Sequence, residues 1–232
     1  MSEEILTCRQ LTVGYGDGRT CSGIDFQMRE GDFFCVVGHS GTGKSALIYT
    51  ILGLEKPFDG EMSYGENVTR GEIGCLPQRN DIRGNASVRE VVLSGCLGGM
   101  KHLCVGRQEK AYAERAMELV GISDLAKRRF VELSGGQKQK VLLAKSLCGS
   151  KKLLILDEPV HGLDALASEE LYELIRRINR EEGVATLLID SQAVTRFDAT
   201  ILHLSDRQLF CGPRDEYLKT IPGQYYLAGR IM

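Results

Sequence analysis

The sequence predicts an α/β protein built on a mainly parallel sheet. Its 232 residues contain short apolar runs, at 33–37, 153–156 and 184–189, of the kind that form buried strands. Helical patterns alternate with these runs, and such alternation favours parallel strands covered by helices. Between about 80 and 148 the pattern is mainly helical, which predicts a helical insert in the α/β framework.

A glycine-rich loop follows the first of these strands. Residues 38–45 are Gly-His-Ser-Gly-Thr-Gly-Lys-Ser, which fits the phosphate-binding pattern G-x-x-x-x-G-K-[ST]. Phe33–Val37 precedes the loop as a strand candidate, and 46–52 follows it as a helix candidate. Glycines let backbone N–H groups turn towards an anion, and a helix N-terminus adds partial positive charge. The pattern predicts a nucleotide site in which Lys44 reaches the phosphates and Ser45 ligates Mg²⁺.

The N-terminal region alternates short apolar runs with glycine-rich turns. We expect a loop at Gly14–Gly18, which contains Tyr15, and a turn at Pro57–Gly60. The strand candidates of this region are Ile5–Val13, Gly23–Met28, Glu61–Tyr64 and Ile73–Leu76.

Two segments with helical spacing predict the insert, Val88–Leu93 and Gln108–Val120, and the glycine-rich link Gly95–Gly106 separates them. In the second segment one face is apolar and the opposite face is charged, as in a helix that covers a core. The apolar face consists of Ala113, Ala116, Met117 and Val120.

After the insert, strand and helix candidates alternate again. Helices are predicted at Lys138–Cys148 and Leu166–Ile178, with a strand at Val184–Ile189. Ile201–Leu204 and Gln208–Cys211 fit a terminal hairpin. The buried stripe of the second helix is expected at Leu171, Leu174, Ile175 and Ile178.

Two acidic residues end the buried strand at 153–156. Ligands of open α/β sheets bind at the carboxyl ends of the strands, so Asp157 is expected to hold Mg²⁺ through water. Glu158 could orient or deprotonate an attacking water. On its own this pair fits two acids at a strand end equally well, but its place downstream of the phosphate loop favours the chemical role.

A serine and two glycines precede the helix candidate at Lys138–Cys148. In Leu133-Ser134-Gly135-Gly136-Gln137, a hydroxyl, exposed N–H groups and a helix N-terminus would form a second anion site. The alternative is an ordinary serine N-cap, which Ser-Gly-Gly alone fits as well.

Composition excludes several classes. Lys and Arg number 29 against 31 Asp and Glu, a net charge of −2 that does not suggest a nucleic-acid binder. No apolar run approaches the roughly 18 residues that cross a bilayer, and the first residues are acidic, so we expect a soluble, cytoplasmic protein. Eight cysteines form no C-x-x-C pair, which argues for buried thiols rather than a zinc site.

The order of these motifs resembles the ATP-binding cassette (ABC) ATPases over essentially the whole chain. The signature Leu133–Gln137, followed by an apolar strand that ends in Asp-Glu-Pro, is highly specific to that family. The resemblance implies a phosphate-loop ATPase core with a mainly parallel sheet, an N-terminal antiparallel β subdomain and an inserted α-helical subdomain. It implies one domain over 1–232, with the core at 1–79 and 149–232 and the helical subdomain at 80–148.

The resemblance also assigns site residues. Gln78 would sense Mg²⁺ and water and face the membrane partner, Tyr15 would stack on adenine unless it is a surface-loop tyrosine, and Asp164 would lie at a dimer contact. The catalytic residues would be Lys44, Glu158 and Gln192, and the metal site would use Ser45, Gln78 and Asp157. The nucleotide contacts would be Tyr15, Gly38, His39, Ser40, Gly41, Thr42, Gly43, Lys44, Ser45, Ala46, Gln78, Ser134, Gly135, Gly136, Gln137 and Asp164.

A narrower resemblance is to the zinc/manganese-type metal importers. Leu76-Pro77-Gln78-Arg79 and the stretch Ser87–Gly95, with the sequence Ser-Val-Arg-Glu-Val-Val-Leu-Ser-Gly, look like segments of that group. The cargo implied by this resemblance is a transition-metal ion.

Three positions depart from the family pattern. His39 stands where small polar, acidic or proline residues are usual, and Ala46 replaces a common threonine. The third departure concerns the family's switch histidine, which follows the strand at 184–189. Aligned on Ser191, the position of that histidine holds Gln192, so we expect slow hydrolysis.

The resemblance implies the ATP-binding, ATP-hydrolysing subunit of an ABC transporter, with ATP and Mg²⁺ as its ligands. Its partners would be a separate transmembrane permease, a second ATPase subunit in a homodimer and an external substrate-binding protein, but no nucleic acid. The chain would then lie on the cytoplasmic face of the membrane. Two alternatives stay open: a soluble ABC ATPase outside transport, and a regulatory cassette that hydrolyses ATP poorly.

Overall fold

The computed structural model describes residues 2–16, 18–78, 82, 84–96, 106–150 and 152–229. The chain forms two units, Met1–Val68 with Ala185–Met232, and Thr69–Val184. In chain order the elements are β1 (Glu4–Tyr15), β2 (Gly18–Arg29), β3 (Phe33–Val37), α1 (Lys44–Ile51), β4 (Asp59–Tyr64), β5 (Ile73–Leu76), α2 (Val88–Gly95), α3 (Arg107–Leu119), α4 (Gly135–Gly149), β6 (Leu153–Asp157), α5 (Ala165–Glu182), β7 (Ala185–Ile189), β8 (Thr200–Leu204), β9 (Gln208–Pro213), α6 (Arg214–Tyr217) and α7 (Ile221–Leu227).

An antiparallel sheet with the order β2-β1-β4 forms part of the first unit, as predicted for the N-terminal region. The loop predicted at Gly14–Gly18 is too long. Cross-strand pairing continues through Gly14 with Arg19 and through Tyr15 with Gly18, so β1 includes Tyr15 and β2 starts at Gly18. Ladder hydrogen bonds therefore extend the strands into a stretch whose glycines suggested a loop.

The parallel strands of the first unit carry the phosphate loop. β3 lies between β7 and β8 and runs parallel to both, with Val36 opposite Ile189 and Val37 opposite His203. β9 is antiparallel to β8, which confirms the hairpin. β7 is buried along its whole length, as expected for a parallel strand covered on both faces.

In the second unit, β5 and β6 are parallel, with Leu76 opposite Leu156. Helices α2 to α5 belong to the same unit. The predicted helix faces are confirmed. α3 buries Ala113, Ala116 and Met117, with Val120 buried just beyond its end. α5 buries the whole predicted stripe, Leu171, Leu174, Ile175 and Ile178.

Several helix ends differ from the predictions. α4 begins at Gly135 because Ser134 acts as its N-cap, and α5 continues to Glu182, where Gly183 ends it with φ 66°. Two short helices after the hairpin, α6 and α7, were not predicted. Pro222-Gly223 lies in the first turn of α7, a pair that indicates a turn in sequence but is accepted at a helix start.

Some predicted features fall outside the described residues: Arg79, residues 97–105 of the glycine-rich link, and Cys104. Of the cysteines in the described ranges, all seven are free thiols, and Cys8, Cys21, Cys35 and Cys148 are buried. None of the helices in the described part of the chain combines the length and apolar character needed to cross a membrane.

Candidate nucleotide site

The phosphate loop begins where β3 ends. Gly38 has φ 148°, and a Cβ there would lie 2.2 Å from the carbonyl oxygen of Leu204 in β8. Gly43 has φ 87°, and its Cβ would lie 2.9 Å from Oγ1 of Thr20. Both positions therefore require glycine for the fold of this chain itself.

Lys44, the first residue of α1, turns back over the loop. Its ammonium donates hydrogen bonds to the carbonyl oxygens of Gly38 at 2.7 Å and His39 at 2.6 Å. Thr42 Oγ1 donates to the same His39 oxygen at 2.9 Å. The first turn of α1 contains no acidic residue, so no carboxylate offsets its positive end. A bent glycine backbone, an ammonium and this helix end fit an anionic phosphate chain.

The remaining loop residues differ in exposure. His39, Ser40 and Gly41 are exposed, Ser45 is half-buried as the second residue of α1, and Ala46 is fully buried. The departure at Ala46 therefore concerns a side chain that packs in the core, while the Ser45 hydroxyl is kept.

Tyr15 lies at the end of β1 and is 42% exposed. Its ring meets that of Tyr49 edge-on, with centroids 5.9 Å apart, and Tyr49 belongs to α1. The first unit thus places the predicted adenine-stacking residue beside the helix that starts at Lys44, with ring surface available for a planar ligand.

Gln192 follows β7, the strand next to β3. Its side chain is exposed, and its backbone N–H donates to Oδ1 of Asp190 at 2.8 Å. Asp190 itself is buried. Because β7 and β3 are parallel and in register at Val36 and Ile189, the segments that follow them start side by side.

Behind the phosphate loop lies a polar pair that sequence reasoning missed. His203 in β8 is buried, with Nδ1 3.0 Å from the hydroxyl of Tyr217, and its ring meets that of Tyr226 edge-on. The pKa of His203 is lowered to about 4, first by burial and then by the electrostatic effect of the neighbouring His39 and Lys44. The imidazole is therefore neutral near pH 7. A histidine within an apolar strand was the available signal.

In the second unit, the ends of the parallel strands β5 and β6 bring two predicted residues together. Gln78 Nε2 donates to Oε2 of Glu158 at 2.6 Å. Glu158 has φ 48°, a left-handed conformation that is uncommon for a non-glycine residue and is found preferentially at functional sites. Asp157, the last residue of β6, is half-buried. Burial, and then the charge of Asp157, raises the pKa of the Cys75 thiol to about 12, so that thiol stays protonated.

A turn after Glu158 brings His161 to the same carboxylate. The backbone N–H of His161 donates to the Glu158 carbonyl at 3.0 Å, and its Nδ1 lies 3.7 Å from Glu158 Oε2. Sequence reasoning did not assign His161 to the site, although a spacing of three residues within a turn could have indicated it.

The signature motif forms the start of α4. Ser134 Oγ accepts from the N–H of Gln137 at 3.3 Å, and Gln137 Oε1 accepts from the N–H of Ser134 at 3.1 Å, which is a capping box. A Cβ on Gly135 would lie 3.6 Å from Leu163, and one on Gly136 would lie 3.4 Å from Ala167, which are ordinary contacts.

Asp164 lies at the other side of this helix start. Its Oδ1 accepts from the N–H of Ala167 at 2.9 Å, so it is the N-cap of α5. Together the two helix starts line a cavity of about 380 Å³. Its walls include Ser134, Gly135, Gly136, Gln137, Gly162 and Asp164.

Each unit therefore assembles part of the predicted site. The first unit holds Tyr15, Gly38–Ala46 and Gln192. The second unit holds two groups: Gln78, Asp157 and Glu158 at the strand ends, and Ser134–Gln137 with Asp164 at the cavity.

Comparison with known proteins assigns this arrangement to a family. The family model described as ABC transporter matches residues 21–161, more than half of the chain. The chain therefore belongs to the ABC transporter family, as the motifs predicted.

Relatives that are ATP-binding proteins of import systems match nearly the full length. The zinc uptake system ATP-binding protein ZurA of Listeria innocua is 33% identical, with 98% of this chain and 90% of that protein covered. The manganese transport system ATP-binding protein MntB of Bacillus subtilis is 34% identical, with 95% and 91% covered.

Solved structures agree with the fold. A metal-chelate type ABC transporter in an inward-facing conformation matches with a TM-score of 0.84 and 25% identity, covering 97% of this chain and 89% of that one. The protein cbiO1 of Clostridium perfringens, part of the transporter complex cbiONQ, matches with a TM-score of 0.79 and 25% identity, covering 98% and 99%.

Proposed function

We propose that the chain is the ATP-hydrolysing subunit of an ABC importer for a transition-metal ion. The observation that carries this proposal is the phosphate loop, in which Lys44 spans the carbonyl groups of Gly38 and His39 at the acid-free start of α1. The family supports an ATPase, and relatives such as ZurA and MntB are named for zinc uptake and manganese transport.

In this proposal the loop N–H groups and Lys44 bind the β- and γ-phosphates of ATP. Ser45 would hold Mg²⁺ through its hydroxyl, and Asp157 and Gln78 would hold the ion or its water. When bound, Mg²⁺ neutralises charge on the phosphate oxygens. Glu158 orients the attacking water and accepts its proton while the water oxygen bonds to the γ-phosphorus. The bond from that phosphorus to the bridging oxygen breaks, which yields ADP and inorganic phosphate. Gln192 donates a hydrogen bond towards the γ-phosphate, and Tyr15 stacks on adenine.

We further propose that two copies of the chain act together. The signature helix start, Ser134 to Gln137, would bind the nucleotide held by the other copy, with Asp164 at the contact. This assignment is supported by the cavity at that helix start. A separate transmembrane permease and an external substrate-binding protein would complete the importer, and the chain would lie on the cytoplasmic face of the membrane. Its division into a core, 1–79 with 149–232, and a helical subdomain, 80–148, belongs to the same proposal.

Neither alternative function gains support. The relatives named above are transport proteins, and this does not favour an ABC ATPase outside transport. The side-chain amide of Gln192 has both a hydrogen-bond donor and an acceptor, so it can still take part in hydrolysis. We therefore propose a slow ATPase and not a purely regulatory cassette.

The test is the ATPase activity of the Lys44→Ala variant. Loss of the ammonium should abolish hydrolysis and weaken ATP binding, because no other side chain of the loop carries a fixed positive charge to the phosphates. Lys127→Ala, which removes an exposed lysine elsewhere, is the matched control and should behave as native. Native activity in Lys44→Ala would contradict the proposed function. The cargo is tested separately, by stimulation of the reconstituted importer with Zn²⁺ or Mn²⁺.

A further inference from the structure

We propose that His161 is a positioning residue that holds the carboxylate of Glu158 in the direction needed for catalysis. The inference rests on the proposed ATPase function and deepens it. It begins from the turn that follows Glu158 in the second unit. If Glu158 is the base, the direction of its carboxylate must be fixed, and His161 would be a second group that does so beside Gln78.

The local backbone provides such a group. The N–H of His161 donates to the Glu158 carbonyl at 3.0 Å, which closes a turn around Pro159 and Val160. The turn returns the imidazole to the carboxylate three residues earlier, with Nδ1 3.7 Å from Oε2. Since Glu158 adopts φ 48°, the approach of its side chain to His161 depends on a backbone conformation that carries strain.

Two side chains thus lie next to the same oxygen, Oε2 of Glu158. Gln78 donates to Oε2 of Glu158 at 2.6 Å, and His161 approaches Oε2 as well. Oε1, the other oxygen, is then the one that would receive a proton from water. Both neighbours carry an N–H group that can point to Oε2, so together they can fix the direction of the carboxylate.

The distance of 3.7 Å from Nδ1 to Oε2 is too long for a hydrogen bond. Catalytic hydrogen bonds are often long without substrate and tighten when it binds. Both side chains have room to move, because 73% of the His161 side chain and 38% of the Glu158 side chain are exposed. This exposure also means that His161 adds little to core packing.

The experiment compares His161→Leu with His161→Asn. Asparagine can place an amide N–H near the position of Nδ1, whereas leucine of similar size cannot donate. We expect His161→Leu to lower kcat about tenfold with KM nearly unchanged, and His161→Asn to retain most of the native kcat. Arg70→Ala, an exposed substitution in the same unit, is the control for surface changes. Equal kcat in native protein and His161→Leu would overturn the inference, and so would equal losses in both His161 variants.

Failure of the proposed function is distinguishable, since it would appear as activity that Lys44→Ala does not remove.

Discussion

The two glycine-rich anion sites of this chain differ in why they contain glycine. In the phosphate loop, a Cβ on Gly38 would lie 2.2 Å from a carbonyl oxygen of β8, and φ is 148°. At the signature helix start, a Cβ on Gly135 or Gly136 would meet only side chains, at 3.6 and 3.4 Å. Those distances are ordinary van der Waals contacts, and both glycines are helical.

The phosphate-loop glycines are therefore explained by folding, and the glycines of the signature helix by function. The phosphate loop needs glycine so that its own backbone can turn beside β8, and its anion site follows from that turn. The signature helix could accept alanine within the residues that the structure describes. Its glycines therefore fit a site that leaves space for a group from outside, which our proposal identifies as the nucleotide of a second copy.

Among the variants that test this comparison, the largest effect is expected from Ser134→Arg. A bulky cation at the N-cap would fill the cavity at the start of α4 and remove the capping hydroxyl. We expect ATP turnover to fall by roughly a hundredfold or more, as when a transition-state contact is lost. ATP binding to the phosphate loop, measured with a fluorescent nucleotide, should stay near native. Normal turnover in Ser134→Arg would show that the signature is not part of the active site.

A matched pair of alanine substitutions tests the comparison directly. Gly38→Ala should lower the free energy of unfolding by at least about 2 kcal/mol, because of its strained φ and backbone clash. Gly135→Ala should change stability by less than about 1 kcal/mol while turnover falls, because alanine suits a helix but narrows the cavity. Urea unfolding and ATPase assays on both variants provide the measurements. Comparable destabilisation by both would show that the two glycines serve the same purpose.

The smallest effect concerns Gln192. Loss of one transition-state hydrogen bond typically lowers the rate by a factor of about 10²–10³. A neutral glutamine can still donate a hydrogen bond, so it keeps part of the transition-state stabilisation. We therefore expect Gln192→His to raise kcat several-fold without altering ATP affinity, and Gln192→Ala to lower kcat. If the alanine variant turns over ATP as fast as the native chain, Gln192 makes no catalytic contact.

Much of the fold could be predicted from the sequence, because the informative patterns were local. β3 and β5 have the predicted bounds: β3 is a continuous apolar run between Asp32 and Gly38, and β5 is a short, mainly apolar run that Pro77 ends. The phosphate loop was predictable because its motif specifies a strand, a turn and a helix start together. The signature was predictable as an N-cap, and Ser134 does cap α4.

What the sequence did not reveal depends on contacts between distant segments or on short elements. The bond from Gln78 to Glu158 joins residues 80 positions apart, because β5 and β6 are parallel neighbours. The helix α7 is seven residues long and has proline and glycine in its first turn, so its local signals favour a turn. The extension of β1 to Tyr15 depends on pairing with β2. A glycine-rich sequence does not indicate such strand pairing.

The most direct test of two copies sharing their sites is the mass of the Glu158→Gln variant with and without ATP. The neutral amide keeps the shape of the side chain but cannot accept the proton, so bound ATP should persist and hold two copies together. By light scattering after gel filtration we expect a dimer with ATP and a monomer without it. Adding Ser134→Arg to this variant should return it to a monomer. A monomer in ATP for Glu158→Gln, or an ATP-bound dimer that Ser134→Arg does not disrupt, would contradict the shared site.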